Sequence, residues 1–239
     1  MGRNNYFRFK QFTISQEKSA MKVGIDGVLM GAWASAGNPS KILDIGTGTG
    51  LIALMMAQRL PAASIDAVEI DAAACEEAQF NFGQSPWNDR LRLFQISFQQ
   101  FSEQSDTEYD LIVSNPPFFE NSVKVKTASR KLARNSENLS LDELFAGAVK
   151  ILSGNGVFAV IFPFQRFNEM ISMASKNGLF MKRFVNIKPN PEKPFHRVMA
   201  EFSKSEGLIS EEELIIESMK HDDYTEDYRA LTRDFYLKF

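Results

Sequence analysis

Three short stretches hold side chains whose types and spacing could do chemistry. The first is Asn115-Pro116-Pro117-Phe118-Phe119, delivered by the apolar run Tyr109–Ser114. Neither proline has an N–H and both have φ near −65°, so the strand must stop there. The first proline also pushes Asn115 out of the helical region. A stiff corner results, holding an amide and a carbonyl in place with an aromatic ring just beyond. A plain strand-ending turn is the alternative, and this segment alone does not decide between them.

The second stretch is Asp44-Ile45-Gly46-Thr47-Gly48-Thr49-Gly50, which follows an apolar run and opens a helix. Glycines there let the backbone turn sharply and let a ligand approach main-chain atoms at a helix N-terminus. The dinucleotide fingerprint wants a third glycine where Leu51 stands. Asp44 would also oppose a pyrophosphate, whereas a ligand with a cationic amine and a sulfonium would be tolerated or helped. The third stretch is Ala67-Val68-Glu69-Ile70-Asp71, about twenty residues past the glycines, where an acid can accept from both hydroxyls of a ribose. Glu69 is favoured for that role, and Asp71 for capping the next helix.

Elements that could position these groups follow from period and punctuation. Tyr6–Phe12 alternates aromatic and polar residues, a half-buried strand, and Asp26 is placed to cap a helix to about Ala36. Strands are expected at Lys41–Ile45, Ser64–Ile70, Arg90–Ile96, Tyr109–Ser114 and Gly156–Pro163, with helices between them. Ser140-Leu141-Asp142-Glu143 reads as a capping box. Leu179–Lys188 and His196–Ser203 form a strand pair around the loop Asn190–Pro194, too short for a crossover and therefore antiparallel. A short strand at Leu214–Ser218 and a helix at Thr225–Phe235 complete the tail. Strict βαβ alternation predicts a doubly wound, mostly parallel α/β sheet of seven strands with an antiparallel last strand and a small N-terminal extension. We expect one domain over 1–239: an extension at 1–40, a core at 41–204 and a tail at 205–239.

Composition bounds the function. The 239 residues are 44% hydrophobic and 24% charged, enough for a sizeable core, and no apolar run is long enough to span a bilayer. One cysteine and two histidines exclude an internal disulfide and an ordinary structural zinc site. A cytoplasmic, metal-free monomer is the expectation. Net charge is −3, but the charge is segregated. Lys124, Lys126, Arg130, Lys131 and Arg134 occur with no acid among them. Lys176, Lys182, Arg183, Lys188, Lys193 and Arg197 are interrupted by Glu192 alone, and the tail Glu206–Asp227 is acidic. Segregation of this kind permits a local anionic partner.

Asp44 to Gly50, Glu69 and Asn115 to Phe118, in that order, resemble the motifs of the class I S-adenosylmethionine-dependent methyltransferases, over a span from Asp44 to about Ser203. The resemblance implies a Rossmann-like fold and S-adenosyl-L-methionine as cofactor, held by Asp44, Gly46, Gly48, Gly50, Glu69, Ser97, Phe98 and Asn115. It also implies that Asn115 and Pro116 accept the two hydrogens of a planar amine while Phe118 stacks on its ring, these three being the catalytic residues. Adenine N6 or guanine N2 in RNA, adenine N6 in DNA and a glutamine amide all fit such a clamp. A cofactor-binding RNA module without catalysis is the non-enzyme alternative.

Two further segments narrow the choice. Ala20–Trp33 and Tyr224–Leu237 are similar to the ends of the bacterial tRNA1(Val) adenine N6-methyltransferases. That resemblance covers nearly the whole chain and implies methylation of adenosine 37 in the anticodon loop. It is cheaper to splay out an unpaired loop base than a duplex base. The family usually has an acid where Ser97 stands and a threonine where Ile25 stands. Lys126, Arg130, Lys131 and Arg197 are the expected RNA-binding residues, and His196 is given no catalytic role.

Overall fold

The computed structural model describes residues 5–19, 22–35, 37–116, 139–220 and 222–239. Phe118, Lys126, Arg130 and Lys131 lie outside them.

Ten strands and seven helices are described. A hairpin, β1 (Tyr6–Arg8) and β2 (Thr13–Ser15), precedes helix α1 (Ile25–Trp33). The core runs β3 (Lys41–Ile45), α2 (Leu51–Arg59), β4 (Ser64–Glu69), α3 (Ala72–Gln84), β5 (Leu91–Gln95), α4 (Phe98–Gln104) and β6 (Tyr109–Ser114). It continues with α5 (Leu141–Ile151), β7 (Leu152–Pro163), α6 (Phe167–Lys176), β8 (Phe180–Lys188) and β9 (Arg197–Ser203). Strand β10 (Ser210–Ile215) and helix α7 (Glu226–Thr232) follow.

The sheet order is β10-β8-β9-β7-β6-β3-β4-β5. Every neighbour pair is parallel except the two made by β9, which runs antiparallel to β7 and β8. This is the expected doubly wound, mostly parallel architecture, but with eight strands where seven were expected. The eighth is the tail strand, expected at Leu214–Ser218 and found at Ser210–Ile215, where it joins the sheet beside β8. Helices α1, α2, α3 and α7 cover one face, and α4, α5 and α6 the other, so each strand alternates its apolar side chains between two cores. Ile42 faces the first core and Leu43 and Ile45 the second.

Local signals behave as their chemistry requires in several places. Ser140 and Glu143 form the reciprocal capping box at α5, and Asp71 accepts from the Ala74 N–H at 2.8 Å to cap α3. The strand expected over Tyr6–Phe12 is instead two short strands around a tight turn, because Phe9 and Phe12 both turn inward and stack at 4.7 Å. Asp26 does not cap α1. That helix starts after Gly24, and Asp26 accepts from Arg197 Nε at 2.8 Å.

The basic stretch from Lys176 to Arg197 is largely matched inside the fold. Lys176 pairs with Asp142, Arg183 with Glu201, Lys188 with Glu213 and Arg197 with Asp26. Strand β10 lies parallel to β8 with Glu213 opposite Asn186, so the acidic tail supplies part of this charge from within the chain, a pairing that the charge segregation alone did not specify.

The N-terminal segment is tied to the core by polar side chains of α3. Asn81 accepts from the Ser15 N–H at 2.8 Å and donates to the Ser15 carbonyl at 3.0 Å and the Thr49 carbonyl at 2.8 Å. Buried Glu77 accepts from the Ser19 N–H at 2.8 Å and also from the Lys18 N–H. Each buried backbone group left unmatched costs about 1–3 kcal/mol. Asn81→Ala is therefore expected to lower the unfolding free energy by at least about 2 kcal/mol. Urea denaturation followed by tryptophan fluorescence measures this, and an unchanged midpoint would show that the clamp is not needed.

Candidate active site

The strand order reverses between β3 and β6. The chain winds from β3 outward through β4 and β5, then returns to β6 on the other side and winds through β7. Open α/β sheets bind ligands at such a point, outside the carboxyl ends of the strands. The residue pair Ile45 and Ser114 closes the β3–β6 ladder, so Gly46 and Asn115 leave adjacent strands side by side. Strand spacing puts them roughly 5 Å apart. Buried Ser114 donates its hydroxyl to the Ile45 carbonyl at 3.0 Å and locks the two exits together.

The glycine turn is shaped by Asp44. Its Oδ2 accepts from the Thr47 hydroxyl at 2.6 Å and from the Ala53 N–H, in the first turn of α2, at 3.1 Å. Gly46 and Thr47 both donate their N–H to the Val68 carbonyl, which ties the turn to β4. Gly46, Gly48 and Gly50 have φ of 69°, 56° and 85°, a region costly for any other residue. Gly50 also lacks room, since a Cβ there would sit 2.5 Å from Phe82 Cε1, whereas nothing lies within 4 Å of one at Gly46 or Gly48. The turn therefore opens onto free space at its first two glycines and packs at its third.

Glu69 ends β4 beside this turn. One carboxylate oxygen accepts from the Gly48 N–H at 2.9 Å and the other from the Ile70 and Asp71 N–H groups at 2.8 and 2.9 Å. Its position is thus fixed by three main-chain donors, which leaves about one of its four lone-pair sites, on the oxygen that faces Gly48, for a hydroxyl group. Ile70 follows it with 48% of its surface exposed, an apolar face at the sheet edge that motif reading passed over.

Ser97 and Phe98 both have partners within the fold. Ser97 caps α4, accepting from the Gln100 N–H at 3.2 Å and donating to Gln100 Oε1 at 3.1 Å. The Phe98 ring is buried in the second core, 2.6 Å from where a Cβ on Gly147 would stand. Close packing against α5 leaves that ring no face for a ligand, and Ile70 is the better apolar candidate. Arg197, expected at the RNA interface, is a partly exposed side chain engaged by Asp26. Asn115 is half-buried and Pro116 buried, and among the described residues the Asn115 side chain forms no hydrogen bond. The missed groups Thr47, Ser114 and Asn81 act through contacts that sequence spacing hides, Asn81 reaching the turn across 32 positions.

A doubly wound sheet with a glycine turn and an Asn-Pro corner at its switch point defines a methyltransferase. Residues 28–173 match the family model described as the methyltransferase small domain. Full-length relatives are more specific: proteins named tRNA1(Val) (adenine(37)-N6)-methyltransferase from Flavobacterium psychrophilum and Trichodesmium erythraeum are 45% and 46% identical. The alignments cover 97% and 98% of this chain and 99% of each relative. The chain belongs to this tRNA1(Val) (adenine(37)-N6)-methyltransferase family. Solved structures agree on the fold alone. A predicted O-methyltransferase from Agrobacterium tumefaciens superposes with a TM-score of 0.68 at 17% identity, covering 88% of this chain and 96% of its own. A TehB-like SAM-dependent methyltransferase from Corynebacterium glutamicum gives 0.52 at 20% identity, over 76% and 89%.

Asp44 carries a testable electrostatic signature. Burial pushes its carboxyl up to about 7, against the hydrogen bonds from Thr47 and Ala53, with Glu69 adding repulsion. Its Oδ1 is buried without a hydrogen-bond partner among the described residues. An acid with a raised folded-state pKa takes up a proton on folding between its unfolded and folded values, so stability falls as pH rises through that window. Carboxylates held low by hydrogen bonds, such as Asp110 and Glu143, act oppositely and only below the ordinary range near 3.8 to 4.5. The ligand-free protein should therefore melt at a higher temperature at pH 5.5 than at pH 7.5, and Asp44→Asn should flatten that difference. Calorimetry across this range is the check; an equal slope in the variant overturns the assignment.

Proposed function

We propose that this protein transfers a methyl group from S-adenosyl-L-methionine to the N6 amine of an adenosine in tRNA, adenosine 37 in the anticodon loop of tRNA1(Val). The observation that carries the reading is the Asn115 amide, without a hydrogen bond among the described residues, held beside the open glycine turn at the switch point. Family membership supports the tRNA substrate.

The residues present fit the cofactor. Asp44 Oδ1 has no hydrogen-bond donor among the described residues and suits a cationic amine at the turn. Open space at Gly46 and Gly48 leaves room for the ligand, and Glu69 is fixed with one lone-pair site left for a ribose hydroxyl. Gly50 serves by packing on Phe82. When bound, S-adenosylmethionine supplies an electrophilic methyl group on a sulfonium. The amine of adenine is a weak nucleophile because its lone pair is conjugated with the ring. Asn115 Oδ1 and the Pro116 carbonyl accept its two hydrogens, draw the nitrogen towards tetrahedral geometry and aim the lone pair. Phe118 stacks on the base, a contact worth about 1–3 kcal/mol. The proton leaves after transfer, so positioning and fixed dipoles supply the rate gain without a strong base. The basic segment with Lys126, Arg130 and Lys131 follows the corner in sequence and meets tRNA phosphates.

Bulk bacterial tRNA incubated with protein and labelled methyl donor, then digested to nucleosides, should yield N6-methyladenosine. Asn115→Ala should lower kcat about a hundredfold or more. Label in N2-methylguanosine, or in a protein glutamine, would instead establish one of the rival amine substrates. In a separate titration, Arg130→Ala with Lys131→Ala should weaken tRNA binding and reduce its salt slope by about two; an unchanged slope removes those residues from the interface.

A further inference from the structure

A second feature lies away from the Asn115 corner. Hairpin β1–β2 and helix α3 border an open groove of about 550 Å³. Its rim carries Tyr6 and Phe80, exposed by 61% and 57%, in elements whose other large rings turn inward: Phe9 and Phe12 from the hairpin and Phe82 from α3 are buried. Two exposed rings across one groove contribute nothing to the core.

The charge of the groove is as selective as its rings. Arg8 and Lys10 line it and no carboxylate does, in a chain whose net charge is −3. The Lys10 ammonium donates to the Arg233 carbonyl at 2.6 Å and the Phe239 carbonyl at 2.5 Å, which anchors the hairpin to the C-terminus. Arg8 is exposed and makes no ion pair among the described residues, so it is the cation presented to a ligand. Gln11, Thr13 and Gln84 add exposed donors and acceptors at the same lining. The floor includes Asn81, whose amide also holds the Thr49 carbonyl of the glycine turn. The groove is therefore mechanically continuous with the cofactor loop.

Aromatic faces, a cation and amide groups without acids match a nucleotide: base, phosphate and polar edges respectively. A protein partner would want a continuous apolar centre, which the exposed amides and Arg8 interrupt. We propose that this groove binds an unpaired nucleotide of the RNA substrate, distinct from the adenosine at Asn115. Its base stacks on Tyr6 and Phe80, and its phosphate pairs with Arg8. The assignment rests on the tRNA reading above and adds an anchoring subsite to it.

The test uses the full chain, S-adenosylmethionine and a valine tRNA transcript. Tyr6→Ala with Phe80→Ala should raise KM for tRNA about tenfold or more while kcat stays within about twofold. The ring-conserving pair Tyr6→Phe with Phe80→Tyr should keep the wild-type KM, which separates stacking from a folding defect. Arg8→Ala should reduce the salt slope of tRNA binding by about one. A wild-type KM in the double alanine variant, an equal rise in the ring-conserving pair, or an unchanged slope in Arg8→Ala overturns the groove as a nucleotide site. Wild-type protein that forms no N6-methyladenosine overturns the tRNA reading itself, so the two failures are read from different samples.

Discussion

The parallel pairing of β3 and β6 is the constraint on which the site depends. These strands are neighbours in space but separated by two βα units in the chain, and the winding reverses between them. Neither strand can cover the gap with a helix on that side, so both exit loops are left facing the same opening. The Ser114 hydroxyl on the Ile45 carbonyl fixes the two exits to each other. From there the order of construction is clear. Val68 receives the turn's first two N–H groups, Asp44 caps α2 from below, and Glu69 closes the loop through the Gly48 N–H.

Asp44 illustrates a conflict between stability and function at one residue. A carboxylate fully buried with one unpartnered oxygen is unfavourable on its own, and the chain retains it at the place where a cationic ligand group is expected. Glu69 is the opposite case. Three N–H donors hold it rigidly, so binding hydroxyl groups costs little ordering. An electrostatically unfavourable acid and a fully supported one thus sit on adjacent strands.

Charge in this fold is arranged internally before it is offered externally. The acidic β10 is the edge strand of the sheet and pairs Glu213 with Lys188, and its run of glutamates disfavours pairing with another strand. Asp26 joins α1 to β9 through Arg197, and Glu201 receives Arg183 as well as the Ser35 N–H. Both chain ends meet the same core: α1 packs against α7, and Lys10 of the hairpin turn binds the carbonyls of Arg233 and Phe239. The two terminal segments that resemble the narrower family are therefore one structural unit.

Much of this was legible in the sequence because it is local. Strand and helix periods, the Ser140–Glu143 capping box, the Asp71 cap, the positive-φ glycines and the stop imposed by Pro116 all depend on near neighbours, and they stand where the sequence puts them. The seventh-strand antiparallel turn was legible too, since loop length alone forbids a crossover. What the sequence did not reveal required knowing which distant groups meet. Asp26 reads as a cap until Arg197 arrives from 171 positions away, Phe98 reads as a ligand face until Gly147 makes room for its ring, and the tail strand reads as Leu214–Ser218 until pairing with β8 sets it at Ser210–Ile215. A side chain's own chemistry states what it can bind. Tertiary packing decides which of its possible partners is close enough to outcompete water.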